Sequence, residues 1–294
     1  MRAPAIHGAI LALLLALPLT VGEFGLTLGA KLAAMALFAM SLDLLVGTVG
    51  LVSLGHAAYL GLAAYAAALL PPGFASLPAA VAAAGLAALV IGALCLRASG
   101  VYFIMATLAF AQMAFTFVQG ASVLGGSDGL LIDARPLLVK DAAAFYLFSV
   151  AVLAAGYGLL AWVVRSPFGR KLAGIRMNEA RMASLGYATY RLKLAAFVIA
   201  GAVAGLAGWL MAYQAEYVSP GLLDWRLSGL ALMMVILGGK GTLYGPAIGA
   251  AALVLLEEVL SDLTAHWMLG MGLFVILAVI LLPRGLAGLR RHHG

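Results

Sequence analysis

Charge is what this sequence lacks most. Of its 294 residues only 10% are Asp, Glu, Lys or Arg, against 65% hydrophobic residues and a mean hydropathy of +1.12. Globular chains in water run at about 25% charged and about 45–50% apolar, so a soluble fold of this size has no way to cover so much apolar surface. The solvent is lipid. Cysteine is nearly absent too: the lone Cys95 lies in an apolar run, which excludes a disulfide framework and a cysteine metal cluster. His7, His56, His266, His292 and His293 show no metal-ligand spacing. The GGKGT stretch at 238–242 is no phosphate loop, because Gly241 follows Lys240 and Met234 occupies the first glycine position of G-x-x-x-x-G-K-[ST]. No H-E-x-x-H helix occurs, and the one G-x-S-x-G match, Gly125–Gly129, lies in a turn-rich loop and is no strand-to-helix elbow, so no enzymatic chemistry and no cofactor are expected. The net charge of +6 does not point to nucleic acid, since no basic domain collects it.

What is present is a series of apolar runs near the roughly 20 residues that cross a bilayer. They fall at about 5–22, 28–48, 51–70, 77–96, 101–118, 144–164, 194–215, 243–260 and 265–283, with a shorter one at 227–239. The first follows Arg2 and has no small-x-small cleavage site, so it reads as a retained helix. Counting every run as a crossing, with Arg2 inside, places thirteen basic residues inside and three outside, with Lys31 left in a span. Omitting the short run would put the basic tail (Arg284, Arg290, Arg291) outside, against the positive-inside rule. The expected fold is therefore all-α: one polytopic domain over 1–294, with about ten transmembrane helices and both termini cytoplasmic. The 36 glycines suit close helix packing, and Gly201-x3-Gly205 and Gly245-x3-Gly249 read as packing faces. The outer loop, about 119–143, centres on GGSDGL at 125–130. Turn chemistry favours a solvated loop there, with a docking surface for an outside partner as the alternative.

Polar groups inside the spans are few. Asp43 stands near the inner end of its span beside the turn Gly47–Gly50, where a local structural role is expected, and Lys31 is expected to snorkel. Ser53 and His56 are one helical turn apart, as are Gln112 and Thr116. Each pair either lines a translocation path or bonds neighbouring helices, and interhelical bonding is the more usual role. Glu257 and Glu258 interrupt the outer end of their span.

One long charged loop remains, about 165–193. It carries Arg170, Lys171, Arg176, Arg181, Arg191 and Lys193 against the single acid Glu179. Ser166-Pro167 is a hydroxyl N-cap followed by proline at the first helical position, predicting a helix over 167–177. Asn178 offers a second N-cap, Glu179 favours the first turn, and Gly186 is placed to end that helix at C′. Helices this short need packing to persist, and Leu172, Ile175, Met182 and Leu185 are available for it. Pairing with anionic membrane lipid explains the arginines but leaves the caps unexplained; a short cytoplasmic helix docking on a protein explains both.

The residues also carry a family resemblance. Glu179-Ala180 followed by Gly186 resembles the EAA loop of ABC-importer permeases, with Arg181 where that pattern has alanine. LDLLVGTVGLVSLGHAAYLGLAAYAAALL (42–70), GVYFIMATLAFAQM (100–113), GGSDGL, SPFGRKLAGIRMNEARMASLGY (166–187) and LSGLALMMVILGGKGTLYGPAIGA (227–250) are similar to the LivM-type permease of branched-chain amino-acid importers, in the family's order. The resemblance implies a bacterial or archaeal inner-membrane protein that pairs with a LivH-like permease, two LivG/LivF-like ATPases and a periplasmic-type substrate-binding protein. It also implies an ATPase-coupling role for Arg176, Glu179, Ala180 and Gly186. Relatives sharing these motifs import urea, short amides or other amino acids. From the residues alone, an ion-gradient-driven carrier using Asp43 or Glu257 is the alternative.

Overall fold

The computed structural model describes residues 22–132, 135–136, 139–281 and 285–287. Residues 5–21 of the first expected span lie outside that range, as does the basic tail at Arg284, Arg290 and Arg291. The described helices are α1 (Glu23–Asp43), α2 (His56–Ala68), α3 (Ser76–Cys95), α4 (Val101–Gly120), α5 (Ala142–Arg165) and α6 (Pro167–Met177), followed by α7 (Glu179–Ser184), α8 (Thr189–Ala215), α9 (Trp225–Gly238), α10 (Gly245–Leu263) and α11 (Trp267–Leu281). A π-helical turn, Leu44–Val49, continues α1. Two-residue strands β1 (Leu130–Leu131) and β2 (Tyr217–Val218) pair antiparallel, Leu130 opposite Val218.

Two helices make the centre. α1 packs against α5, α8 and α10, while α8 packs against α1, α2 and α3. With no water to expel between helices in lipid, close approach of small residues drives their association. α8 shows how: a Cβ on Gly201 would strike the Ala88 methyl, one on Gly205 would sit 2.6 Å from that of Ala84, and one on Gly208 would meet the Leu60 carbonyl. Gly249 is likewise pressed on the Met234 carbonyl of α9, so both glycine pairs are packing faces. Large apolar side chains are instead exposed on the outer surface, among them Leu86 and Val90 of α3 and Leu269, Leu273 and Ile280 of α11. That inversion of the soluble pattern suits a lipid solvent.

Among the described residues, five helical segments are long and apolar enough to cross a membrane: Glu23–Val49, Ser76–Cys95, Val101–Gly120, Ala142–Arg165 and Thr189–Ala215. The 51–70 run differs from its expectation as a full span. α2 holds 13 residues, about 20 Å at 1.5 Å per residue, and the chain from Gly50 to Gly55 is not helical. Hydropathy cannot see this break, because its residues are apolar. Side-chain hydroxyls make it tolerable: Leu54 N donates to Thr107 Oγ1 (3.3 Å), Gly55 N to Ser53 Oγ (3.3 Å) and Ala57 N to Ser228 Oγ (2.8 Å). Unwound backbone at membrane depth survives only with such partners. The 227–239 run forms the 14-residue α9, shorter than a full span.

Candidate functional site

The 165–193 loop folds as its caps dictate. Ser166 Oγ accepts from Gly169 N at 3.3 Å and starts α6 at Pro167; Asn178 Oδ1 accepts from Arg181 N at 2.9 Å and starts α7. α7 ends where Gly186 takes φ +86°, and Tyr187 N closes the turn on Met182 O at 3.2 Å. Leu172 and Ile175 are buried, and the Met182 sulfur lies against Gly174, welding the two short helices together. Leu185 departs from its expected packing role. It is 67% exposed and Met177 is 88% exposed, so this charged segment presents an apolar surface outward.

Two of its charged groups bond inward. Glu179 pairs with Lys193 Nζ at 2.6 Å, and the Lys193 side chain is only 11% exposed, so α7 is tied to the base of α8. Arg176 Nη1 donates to the Gly47 carbonyl in the π-helical turn. Ala180, Arg181 and Gly186 remain exposed. Thus, of the four residues expected to couple to an ATPase, Arg176 and Glu179 bond inward, while Ala180 and Gly186 lie on the outward surface.

Arg176 arrives at a polar junction that sequence reasoning missed. Asp43 is fully buried, and its carboxylate accepts from Gly241 N (2.7 Å) and Leu243 N (3.3 Å) in the α9–α10 loop, 198 and 200 residues away. Asp43 lies against Gly47 of its own turn, where a structural role was expected, and its distant partner is the LGGKGTLYGP loop. Leu243 holds φ +57°, an arrangement costing on the order of 1–3 kcal/mol for such a residue. Gly47 is required by close approach: a Cβ there would overlap Asp43 Oδ1 and sit 2.6 Å from Gly241 Cα. The available signals were a carboxylate in an apolar span and a glycine cluster 200 residues later.

Ser53 and His56 do not share a helical face. Ser53 precedes α2 and caps Gly55 N, while His56 Nε2 lies 2.8 Å from Ser41 Oγ and its ring stacks on Phe38 at 5.4 Å. Both are fully buried. Gln112 and Thr116 are exposed on α4, opposite its buried face of Phe103, Thr107, Ala111 and Val118. The thickness of α4 therefore separates the two pairs. Lys31 does not simply snorkel: its Nζ lies 3.6 Å from Glu257. At the end of the bundle away from Asp43, Arg135 bonds Tyr213 O (3.2 Å) and Glu216 (3.0 Å), and Tyr217 OH donates to Asp128 O (2.7 Å). The GGSDGL loop is thereby pinned to the end of α8. Among the described residues no cluster of His, Cys, Asp or Glu is arranged to hold a metal ion.

Residues 24–282 match the family described as branched-chain amino acid transport system / permease component. The chain belongs to this permease family. The permease is 28% identical to the high-affinity branched-chain amino acid transport system permease protein LivM of Escherichia coli (strain K12), with 96% of this chain and 74% of that protein covered. LivM of Salmonella typhimurium is 27% identical over the same shares. An autoinducer 2 import system permease protein, LsrC of Photorhabdus laumondii, is 29% identical over 55% of this chain and 50% of its own. No solved structure shows a significant match. It is a LivM-type permease, and with its family a multi-pass protein of the inner membrane.

Proposed function

We propose that this permease is one transmembrane subunit of an ATP-driven ABC importer of branched-chain amino acids, forming half of the translocation path. The observation that carries the coupling part is the outward apolar surface of α6–α7. Met177 and Leu185, 88% and 67% exposed on a segment rich in arginine, give it an apolar surface that a partner protein can cover. The covering partner is a LivG/LivF-like ATPase, which α7 enters as a short coupling helix. A LivH-like permease completes the path, and a periplasmic-type binding protein delivers substrate from outside. The relatives called LivM, which match almost the whole length, support branched-chain amino acids over urea or amides. Ten crossings with both termini cytoplasmic remain the topology the charge distribution supports.

The exposed stripe of α4 is the path-lining surface within this reading. Tyr102, Met105, Ala109, Gln112 and Thr116 recur at helical spacing and are all exposed. Gln112 and Thr116 offer hydrogen bonds to a substrate passing between two permease subunits. Ser53 and His56 serve the interior instead. The ion-gradient alternative loses its candidates, since Asp43 is committed to two amides and Glu257 to Lys31.

The test is energetic. With the neighbouring gene products, the purified permease is expected to bring down an ATPase and to move leucine into proteoliposomes only with ATP supplied. Uptake by the chain alone under a proton or sodium gradient would overturn the reading.

A further inference from the structure

The junction around Asp43 joins three parts of the molecule that are far apart in sequence. The coupling segment reaches it through Arg176, which bonds the Gly47 carbonyl, and α6 packs on the π-helical turn. The central helix α1 reaches it through Asp43 and that same turn. The α9–α10 loop reaches it through the Gly241 and Leu243 amides. The Arg176 guanidinium is also near Gly241, 3.7 Å from where a Cβ would stand, and close enough for its charge to act on Asp43.

Two of these parts are locally irregular at the meeting point. A π-helical turn ends α1, and such turns gather at functional sites in helices. Leu243 holds a left-handed backbone. A buried carboxylate is retained where an apolar residue would be cheaper in lipid, and intramembrane acids of this kind mark functional sites by default. Fold stability alone explains none of these conjunctions, because α1 is already packed along most of its length.

We propose that Asp43 is a positioning residue for transport: with Arg176 and Gly47 it clamps the α9–α10 loop to α1, so that displacement of α6–α7 reaches both together. The inference rests on the coupling reading above. Arg176 carries the displacement to the π-helical turn, and Asp43 passes it across to α9 and α10. Two oxygens on two amides fix both the position and the orientation of the loop, which a single bond or an apolar contact cannot do. Without the carboxylate, the coupling segment still moves the turn but no longer drags the loop.

The test uses the whole complex in proteoliposomes, with labelled leucine as the probe and leucine moved per ATP hydrolysed as the readout. Asp43→Asn keeps the shape of the side chain and loses the paired acceptor; Arg176→Gln changes an exposed side chain and spares the fold. Both are expected to lower leucine moved per ATP by about tenfold, within the usual range for coupling between sites. The double variant is expected to be no worse than the poorer single one, because one linkage is cut twice. Unchanged leucine per ATP in Arg176→Gln would overturn the proposal, as would parallel losses of uptake and hydrolysis that leave the ratio intact. A wild-type complex that lacks an ATPase would instead sink the coupling reading on which the proposal rests.

Discussion

The two ends of α1 are both linked to its neighbour by acids, yet in different ways. Toward the N-terminal end, Lys31 meets Glu257 of α10 at 3.6 Å, with both side chains nearly one-third exposed. At the C-terminal end, fully buried Asp43 takes two backbone amides of the loop leading into the same helix. An exposed pair of flexible side chains is worth about 0–1 kcal/mol and leaves the backbones free to slide. A carboxylate on two amides holds the backbone itself, and losing it strands both donors in a site without water. The Lys31 link is an adjustable contact; the Asp43 link is a joint.

The sharpest way to break that comparison is Asp43→Ala. Removing the acceptor of two amides is expected to cost about 2 kcal/mol or more in stability, read as an earlier thermal unfolding transition in detergent, and to abolish most uptake. Glu179→Lys comes next. It sets two cations against each other where the nearly buried Lys193 now has its partner, so α7 should swing off α8 and uptake should fall by about fivefold or more. The thermal transition should move little, because α7 is peripheral and Glu179 is half exposed. Lys31→Met is expected to be the mildest, with stability altered by less than about 1 kcal/mol and uptake near normal. A Lys31→Met effect as large as that of Asp43→Ala would erase the distinction between the ends.

The same contrast explains what could be read from the chain alone. The 165–193 segment was legible down to its boundaries, because Ser166, Pro167, Asn178 and Gly186 act on residues within four positions of themselves. The glycine faces on α8 and α10 were legible too, since small residues at helical spacing leave few other uses. Asp43 was visible as an anomaly but its partner was not, because nothing local encodes a contact to residues 241 and 243. The Lys193–Glu179 and Lys31–Glu257 pairs were hidden for that reason as well. The broken start of α2 escaped because hydropathy averages over Gly50–Gly55, although glycines flanking Ser53 hinted at it. Gln112 and Thr116 were picked out by polarity, and the structure adds that they face outward, away from the pair with which they were grouped.

The coupling proposed for the 165–193 segment can be tested at one atom. Leu185 is exposed, and Cys95 is the single native cysteine and is buried. A Cys95→Ala background with Leu185→Cys therefore carries one reactive thiol on the outward face of the segment, and Val123→Cys on the exposed outer loop serves as the control. Labelled with a short photo-crosslinker in the assembled complex, Leu185→Cys is expected to join the permease covalently to an ATPase subunit, while Val123→Cys is not. A Leu185→Cys complex that retains ATP-driven uptake yet yields no crosslink to an ATPase would contradict the central claim.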